Sequence, residues 1–485
     1  MRLAELFPQA DIPPALAGRT IKGISADSRA VSEDMVFFAV PGTRHDGLFY
    51  APQAVERGAI AIIAESDPGG HIGEAAFVKT ENVRSALAHA AARIYPRQPE
   101  TIAAVTGTSG KTSVADFTRQ IWMALGAESA SIGTLGVVTA AGPASGSLTT
   151  PDPVTLHKTL DELARGRVTH LALEASSHGI LQRRLDGVRL TAAAFTNLSR
   201  DHLDYHPTLE AYLDARLELF TRLLPPGYPA VIDADSEVAE KVIAACRKRG
   251  LRILSAGFNG HGIRLAEASA ENYATRLKLA YGNKTYAPLL PLAGSFQASN
   301  ALVAAGLCLV TGSEPDAVFA ALEKLKGAPG RLELVGHYQG APIFIDYAHK
   351  PDALDKALKA LRPFVRGNLI VVFGCGGDRD PGKRPLMGAV AARLADRVIV
   401  TDDNPRSEDP GAIRKAILQG AAGFGNVDEI GGRGTAIAQA ISMLAPDDGL
   451  LVAGKGHETG QTIGAKTLPF SDAGCVIALL KVLPK

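Results

Sequence analysis

Hydrophobic positions in the chain form short apolar runs that alternate with longer helical patterns. In residues 1–92 the apolar runs are MVFFAV and AIAIIAE, with turn clusters such as PGTRHDG between them, and the region ends in the stretch VRSALAHAAARIYP. Apolar runs bounded by glycine and proline are typical of strands, and the alanine-rich stretch is typical of a helix. This pattern predicts a small N-terminal α/β domain with its own core.

Two further series of apolar runs follow. From Thr101 the runs TIAAVTG, THLALEASS, TAAAFTNL and PAVIDADS alternate with helix-period segments such as LEAYLDARLELFTRLL. After KGAPGRLE, in which Gly327, Pro329 and Gly330 are expected to form a hinge, come APIFIDYAH, NLIVVFGCG, DRVIVTDD and GLLVAGKG. Strands alternating with helices indicate parallel sheets, so we predict a central domain over 93–328 and a third α/β domain over 329–485.

Composition agrees with three domains and narrows the class of partner. A chain of 485 residues with 46% hydrophobic content exceeds what one core usually supports, and about 150 residues per domain gives roughly three. The 51 basic and 50 acidic residues nearly balance, which argues against nucleic acid or an anionic membrane as the main partner. A small anionic substrate remains compatible with this balance.

Cysteine spacing and the N-terminal sequence indicate the compartment. The four cysteines lie far apart and form no CxxC pair, so neither a zinc knuckle nor a disulfide framework is predicted. The N-terminal sequence MRLAELFPQADIPP lacks the apolar core of a signal peptide, and no apolar run approaches the ~20 residues of a membrane span. We expect a cytoplasmic protein without membrane insertion, and a monomer because no heptad or repeat indicates assembly.

The stretch TIAAVTGTSGKTSVADF is typical of a strand that runs into a glycine turn and then a helix. A phosphate-binding loop needs backbone N–H groups, a lysine for the terminal phosphates and a hydroxyl for Mg²⁺. The general pattern GxxxxGK[ST] fails at Val105, but the shorter form GTxGKT remains, so ATP with Mg²⁺ is predicted. The predicted ATP-binding residues are Gly107, Thr108, Ser109, Gly110, Lys111, Thr112 and Ser113.

Polar clusters stand at the ends of seven apolar runs, where open α/β sheets bind their ligands. They occupy residues 107–113, 174–178, 197–206, 346–349, 374–380, 402–406 and 454–458. A single cluster is usually a turn or a helix cap, whereas seven over two consecutive domains favour a shared cleft. Glu174, His202, Asp204 and His206 could hold Mg²⁺, although each imidazole or carboxylate alone also fits a capped helix start or a buried polar side chain.

The clusters of the third domain favour a carboxylate-bearing ligand. GCGGDRD approaches the dinucleotide fingerprint GxGxxG, but its last position is Arg379, so a nicotinamide cofactor is disfavoured. Arg379, Arg406 and Lys455 place cations at three strand ends, which suits a carboxylate.

Together these motifs resemble one family, the Mur ligases of peptidoglycan synthesis, and specifically the branch that adds meso-diaminopimelate to UDP-N-acetylmuramoyl-L-alanyl-D-glutamate. The match covers essentially the whole chain in the family's order: ADSRAV, PGTRHDG, TGTSGKTS, TTPDP, LEASSHGILQRR, FTNLSRDHLDYH, GAPGRLE, IDYAHKPDAL, GCGGDRDPGKRP, DNPR and GKGHE. The resemblance implies an ATP-dependent, ADP-forming amide ligase. Its three domains would be a small UDP-binding N-terminal domain, a central P-loop ATPase-type parallel-sheet domain and a C-terminal Rossmann-like domain that receives the amino acid.

The resemblance also implies roles for individual residues. The uridine diphosphate would be held by Ser28, Thr43, Arg44 and His45, and the muramoyl dipeptide by Thr149, Thr150, Ser176, Gln182 and Arg184. Mg²⁺ would be held by Thr112, Glu174 and His202, and ATP would be contacted from across the hinge by Asn300, Arg331 and Asp346. The diaminopimelate pocket would contain Arg379, Asp403, Asn404, Pro405, Arg406, Gly454 and Glu458, with Arg406 the marker for diaminopimelate over lysine.

One position departs from the family. The family places a lysine, carbamylated by CO₂, where YLDARLELF has Arg216. A guanidinium stays protonated and offers no free amine for a carbamate. We expect Arg216 in the active site and a weakly held second Mg²⁺; the alternative is an arginine on a solvated helix face.

Three other functions remain open at this point. A lysine-adding ligase is opposed by DNPR, and folylpolyglutamate synthetase is opposed by the N-terminal domain with ADSR. A catalytically impaired nucleotide-binding protein is suggested by Arg216, and ATP binding without substrate-dependent phosphate release would distinguish it.

Overall fold

The computed structural model describes residues 1–8, 10, 12–42, 46–69, 72–144, 148–199, 206 and 208–483. The chain divides into two compact units. The first unit contains Met1–Leu254 and Leu307–Ser313, and the second contains Ser255–Gly306 and Glu314–Lys485.

The N-terminal part of the first unit is a parallel sheet in the order β1-β2-β3-β4. Its elements are α1 (Leu3–Leu6), α2 (Pro14–Ala17), β1 (Gly23–Ser25), β2 (Met35–Phe38), α3 (Ala51–Glu56), β3 (Ala59–Ala64), β4 (Ala76–Lys79) and α4 (Val83–Ile94). Every residue of β3 is buried, which explains why AIAIIAE is apolar without alternation. Helix α4 begins at Asn82, whose side chain accepts a hydrogen bond from the Ser85 N–H group.

The rest of the first unit is built on a larger sheet in the order β8-β7-β6-β9-β5-β10-β11, with β5 between β9 and β10. Its elements are β5 (Thr101–Thr106), α5 (Lys111–Ala124), β6 (Ser129–Gly133), β7 (Gly136–Thr139), β8 (Gly142–Ala144), α6 (Pro153–Arg165), β9 (His170–Glu174), α7 (Ser177–Leu181), β10 (Ala192–Phe195), α8 (Leu209–Glu218), β11 (Pro229–Asp233) and α9 (Ala239–Arg249). The chain enters the second unit within β12 (Arg252–Gly257).

The register of this sheet decides which side chains meet. Strands β9, β5 and β10 run parallel, with Val105 opposite Glu174 and Thr106 opposite Phe195. The ends of these strands therefore lie at one edge of the sheet, as the sequence pattern predicts. Strands β7 and β8 continue the sheet in antiparallel fashion.

The second unit begins with antiparallel strands. These are β13 (Ile263–Glu271), β14 (Ala274–Tyr281), β15 (Lys284–Tyr286) and β16 (Leu289–Leu290), followed by α10 (Ser295–Val310), which ends in the first unit, and α11 (Pro315–Ala321). The β13 and β14 strands form a hairpin with a turn at Asn272, whose φ is +48°.

The C-terminal part of the second unit is a sheet in the order β17-β18-β22-β19-β20-β21, parallel except for β17. Its elements are β17 (Glu333–Tyr338), β18 (Ala341–Asp346), α12 (Pro351–Leu361), β19 (Leu369–Phe373), α13 (Lys383–Leu394), β20 (Arg397–Val400), α14 (Pro410–Gly420), β21 (Val427–Glu429), α15 (Arg433–Ser442), β22 (Gly449–Ala453), β23 (Gly460–Ile463), β24 (Lys466–Pro469) and α16 (Asp472–Val482). Separate apolar clusters cover its two faces, which makes it a doubly wound α/β sheet.

Three of the four cysteines are buried. Cys246 packs in the core of the central sheet and Cys375 in the core of the C-terminal sheet. Burial raises the pKa of both thiols to about 12. Among the helices in the described part of the chain, none has the length and apolar character of a membrane crossing.

Candidate active site

The turn after β5 has the backbone of a phosphate-binding loop. Gly107 has a φ of +145°, and Gly110, which precedes α5, has a φ of +85°. A Cβ atom on Gly107 would stand 1.8 Å from the Thr196 hydroxyl oxygen, so this position has no room for a side chain.

The end of β10 holds this loop in place. The Asn197 carbonyl accepts from the Thr108 N–H group at 2.9 Å, and the Asn197 side-chain oxygen accepts from the Ser109 N–H group at 3.0 Å. The Thr196 hydroxyl donates to the Ser109 carbonyl at 2.7 Å. Sequence reasoning missed these supporting roles, although the polar residues directly after TAAAF were a signal.

Lys111 begins helix α5 and folds back over the loop. Its Nζ donates to the carbonyls of Gly107 at 2.7 Å and Thr108 at 3.0 Å. Thr112 and Ser113 follow in the first helical turn and are buried. The loop amides and the helix N-terminus favour an anion, and the lysine adds a positive charge, so the arrangement can bind phosphate groups.

Glu174 ends β9, next to the phosphate-loop strand, and is 2% exposed. Its carboxylate accepts from the Thr134 N–H group at 2.8 Å and from the Thr134 hydroxyl at 3.2 Å. A Cβ atom on Gly133 would stand 2.1 Å from the Glu174 Oε1 atom, so glycine is needed there. Thr112, Gly133 and Glu174 line one small cavity.

A chain of hydroxyl groups connects Glu174 to other predicted residues. The Thr150 hydroxyl donates to the Glu174 carbonyl at 2.8 Å and lies 3.0 Å from the Ser176 hydroxyl. Arg184 donates to the Thr150 carbonyl at 2.7 Å and to the Gln182 side chain.

The remaining residue predicted for the dipeptide joins the same network. The Thr149 hydroxyl lies 3.1 Å from the Thr134 hydroxyl, which also contacts the Glu174 carboxylate. The structure thus brings together the residues predicted for the dipeptide, namely Thr149, Thr150, Ser176, Gln182 and Arg184.

Arg216 lies beside the phosphate-loop strand and is 1% exposed. Its guanidinium donates to the Thr106 hydroxyl at 2.8 Å and to the Tyr212 hydroxyl, and its central carbon lies 4.4 Å from the centre of the Tyr212 ring. Because the side chain is buried, the interpretation of Arg216 as part of a solvated helix face is wrong.

Several predicted residues lie elsewhere or are not described. Thr43, Arg44, His45 and His202 lie outside the described residues. Ser28 is buried in the N-terminal part, and its hydroxyl donates to the Gln53 side chain at 2.7 Å.

In the second unit, the residues predicted for ATP form a connected group. Asp346, at the end of β18, accepts from the N–H groups of Leu332 at 2.8 Å and Ala348 at 2.7 Å. Burial raises the pKa of the Asp346 carboxyl, and the positive charge of Arg331 opposes that shift.

Gln297 links Arg331 and Asn300 through two hydrogen bonds. The Gln297 amide donates to the Arg331 carbonyl at 2.8 Å and its oxygen accepts from Asn300 at 3.2 Å. The guanidinium of Arg331 lies 4.7 Å from the centre of the Tyr347 ring.

The strand ends of β20 and β22 carry a cluster of charged side chains around the buried Lys455. The Lys455 ammonium donates to Asn404 at 3.1 Å and to Glu458 at 3.1 Å, and it lies 3.6 Å from the Asp403 carboxylate. Its side chain is 0% exposed. The prediction that Lys455 offers its charge to a ligand carboxylate is therefore wrong, because Asp403 and Glu458 already neutralise it.

Two arginines flank the glycine turn after β19. A Cβ atom on Gly376 would stand 2.9 Å from the Arg406 Nη1 atom and 3.7 Å from the Arg379 Cγ atom. Arg406 has a φ of +51° and donates from Nη1 to the Gly377 carbonyl at 2.7 Å, whereas Arg379 is exposed. This edge can bind a small ligand that carries a carboxylate.

Pro405 and Gly454 lie in tightly packed backbone next to Gly377 and Asp403. The Pro405 carbonyl would be 1.9 Å from a Cβ atom on Gly377. Gly454 has a φ of +114°, and a Cβ atom there would stand 3.1 Å from the Asp403 Oδ2 atom. Close backbone packing therefore fixes the residues predicted for the amino-acid pocket.

Comparisons with known proteins agree with this arrangement. Family models match three consecutive regions: "Mur ligase family, catalytic domain" over residues 20–105, "Mur ligase middle domain" over 105–308 and "Mur ligase, glutamate ligase domain" over 330–456. A protein of Bradyrhizobium diazoefficiens is 56% identical over 99% of both chains. The chain belongs to the Mur ligase family.

Curated and solved Mur ligases resemble the chain along its whole length. The Bradyrhizobium protein and one from Brucella melitensis, 52% identical over 99% of this chain and 98% of its own, are both named UDP-N-acetylmuramoyl-L-alanyl-D-glutamate–2,6-diaminopimelate ligase. A solved structure of a ligase with that name has a TM-score of 0.73 and 32% identity over 99% of both chains. Folylpolyglutamate synthase of Mycobacterium tuberculosis shares the fold, with a TM-score of 0.64 and 20% identity over 83% of this chain and 96% of its own.

Proposed function

We propose that this Mur ligase joins meso-diaminopimelate to the D-glutamate of UDP-N-acetylmuramoyl-L-alanyl-D-glutamate, with conversion of ATP to ADP and phosphate. The observation that carries the proposal is the combination, in one chain, of a formed phosphate loop with an arginine-flanked pocket for a carboxylate. The names of relatives that match the chain end to end support the same substrates. Such a reaction serves peptidoglycan precursor synthesis, and through it cell-wall biogenesis, cell shape and cell division.

The reaction has two steps. A D-glutamyl carboxylate oxygen attacks the γ-phosphorus of ATP, the bond from that phosphorus to the bridging oxygen breaks, and ADP leaves. The amine nitrogen of diaminopimelate then attacks the acyl carbon, the carbon–oxygen bond to phosphate breaks, and the amine proton passes to phosphate or water. The loop amides and Lys111 stabilise charge on the transferring phosphoryl group, so no protein nucleophile is needed.

The first unit offers suitable ligands for Mg²⁺. The Glu174 carboxylate and the Thr112 hydroxyl line the same cavity, and both are oxygen donors of the kind that Mg²⁺ prefers. We propose Glu174, Thr112 and His202 as its ligands. When bound, Mg²⁺ would neutralise charge on the phosphate oxygens; Thr134 holds the Glu174 carboxylate in position for that role.

The remaining site residues are assigned to the individual substrates. For the muramoyl dipeptide we propose the hydroxyl network of Thr149, Thr150, Ser176, Gln182 and Arg184, and for the uridine diphosphate Ser28, Thr43, Arg44 and His45. For ATP we add Asn300, Arg331 and Asp346. For diaminopimelate we propose Arg379, Asp403, Asn404, Pro405, Arg406, Gly454 and Glu458, in which an arginine fork binds the carboxylate that lysine lacks.

Domain boundaries, oligomeric state and cellular location are also proposed. We propose domain boundaries at 1–92, 93–328 and 329–485, a monomer, and a cytoplasmic location where ATP and UDP-linked precursors are found. Light scattering during size-exclusion chromatography measures the oligomeric state directly.

Phosphate release from ATP and Mg²⁺ tests the function. The assay contains UDP-N-acetylmuramoyl-L-alanyl-D-glutamate with meso-diaminopimelate, with L-lysine or with no amino acid. Release with diaminopimelate alone is expected. Equal release with lysine would replace the proposal by a lysine-adding ligase, and ATP binding without release in any mixture would favour an impaired nucleotide-binding protein.

Arg216 is buried against Thr106, one residue before the phosphate loop. We propose that this permanent cation acts in the active site and leaves a second Mg²⁺ weakly held. Arg216→Lys should then lower the Mg²⁺ concentration for half-maximal activity or raise turnover, most clearly with added bicarbonate. An unchanged Mg²⁺ titration would contradict this hypothesis.

A further inference from the structure

We propose that Arg433 is a positioning residue for the amino-acid pocket, because one guanidinium joins the strand ends that carry the DNPR and GKGHE motifs. The inference rests on the proposed function and adds a residue that lies outside those motifs.

Arg433 begins helix α15 and is held by a buried ion pair. Its Nε and Nη2 atoms donate to the two carboxylate oxygens of Asp472, at the start of α16, both at 2.7 Å. The side chains of both residues are 0% exposed. A two-point contact of this kind fixes the plane of the guanidinium as well as its position.

The same guanidinium reaches two separated strands. Nη2 donates to the carbonyl of Ala453, the last residue of β22, at 2.9 Å, and Nη1 donates to the carbonyl of Asp402, after β20, at 3.3 Å. Strand β19 lies between β20 and β22 in the sheet. Arg433 therefore bridges two strand ends that share no ladder of backbone hydrogen bonds.

Both carbonyls are adjacent to predicted pocket residues. Asp402 precedes Asp403, and Ala453 precedes Gly454. A Cβ atom on Gly454 would stand 3.1 Å from Asp403 Oδ2 and 3.9 Å from Arg433 Nη2. A shift of the guanidinium would therefore change the spacing of Asp403 and Gly454.

The charge of Arg433 also affects the ionisation of Asp403. Burial raises the pKa of the Asp403 carboxyl, and the positive charges of Arg433 and Lys455 oppose that rise. Arg433 thus favours the ionised form of Asp403, which Lys455 contacts at 3.6 Å.

Stability alone does not explain this pair. Replacement of a buried ion pair by apolar residues of similar volume is often neutral or stabilising. The two carbonyl contacts at the pocket edge are what an apolar pair would lose.

The test compares Michaelis constants for each substrate. Arg433→Lys keeps the charge but loses the planar fork, and Arg433→Met with Asp472→Leu removes the pair without an unpaired charge. We expect the KM for diaminopimelate to rise about tenfold in both, as for the loss of one or two hydrogen bonds, with less than about a twofold change in the KM for ATP. Discrimination against lysine should fall in parallel.

A control exists in a partly exposed ion pair at the opposite edge of the same sheet. Arg362 pairs with Asp396 and donates to the Gly367 carbonyl at 2.6 Å, before β19 begins. Arg362→Lys should leave all three KM values unchanged.

The outcomes are separable from those of the proposed function. Wild-type protein without diaminopimelate-dependent phosphate release would defeat the proposed function. Active wild type with an unchanged diaminopimelate KM in the folded variants, or with equal changes in every KM, would overturn the role of Arg433. If Arg433→Lys fails to fold, the double variant decides.

Discussion

The phosphate-loop edge of the first unit and the pocket edge of the second unit are both formed by ends of parallel strands, but they are held in different ways. In the first, the Glu174 carboxylate is held by Thr134, and the loop is held by Thr196 and Asn197. In the second, Lys455 contacts Asp403 and Glu458.

Because of this difference, the two edges should respond differently to the loss of a single contact. Hydrogen bonds from neutral donors leave the charge of the held group available to a ligand, and loss of one such bond has a modest effect. Buried ion pairs neutralise each other, and removal of one partner leaves an uncompensated charge in the interior.

The largest effect is expected for Lys455→Met. Loss of the ammonium leaves Asp403 and Glu458 facing each other, which should lower the free energy of unfolding by about 3–5 kcal/mol. Urea denaturation measures this change. Lys278→Met, which breaks an exposed pair with Glu267, should change it by less than about 1 kcal/mol, and similar values for both variants would remove the contrast.

The next largest effect, on ATP affinity, is expected for Gly107→Ala. The added Cβ atom would collide with the Thr196 hydroxyl and displace the loop, so ATP affinity measured by calorimetry should fall by about a hundredfold or more. Gly126→Ala is the control, since Gly126 has a φ of +87° but open space around it. Retention of ATP affinity by Gly107→Ala would show that the loop does not bind phosphate.

A fall in pH should lower the stability of the second unit. Burial lowers the pKa of His349 from 6.5 to about 4, with Lys383, Lys350 and Arg331 acting in the same direction. The neutral ring therefore stabilises the fold above about pH 6.5, and this contribution is lost as the pH falls toward 4.

Between pH 7.5 and 5 the loss should be about 2 kcal/mol in the free energy of unfolding. Denaturation at a series of pH values measures it, and His349→Gln should flatten that part of the profile. A His349→Gln profile parallel to the wild type would exclude His349 as the source.

The smallest effect is expected for Thr134→Val. The backbone N–H bond to Glu174 remains, and only the hydroxyl bonds to Glu174 and Thr149 are lost. kcat/KM should fall by about tenfold while the melting temperature stays within a few degrees. Thr139→Val, at the end of β7, is the control, and a thousandfold fall for Thr134→Val would show that this region is as sensitive as the pocket.

Much of the fold could be predicted because buried parallel strands carry continuous apolar sequence. The runs TIAAVTG, NLIVVFGCG and GLLVAGKG correspond to β5, β19 and β22. The β13–β14 hairpin was not predicted, because β13 is buried only at Ile263 and Leu265 and its turn is made by Asn272 rather than glycine.

The site was predictable where the backbone itself requires a residue type. The confirmed family resemblance rested on such motifs, and Gly107 and Gly110 have the conformations that the phosphate-loop pattern predicts. Thr134 and Arg433 escaped prediction because their partners are 40 and 39 residues away in sequence. Lys455 was misinterpreted because a cation at a strand end gives no sign of the carboxylates that neutralise it.

The buried thiols give each unit an internal reporter. Cys246 lies in the first unit and Cys375 in the second, and the high pKa of each leaves almost no thiolate at neutral pH. An alkylating reagent should therefore modify each cysteine only while its surroundings are open. Mass spectrometry of the two alkylated peptides can follow the local opening of the phosphate-loop unit and of the pocket unit in one sample, without an introduced cysteine.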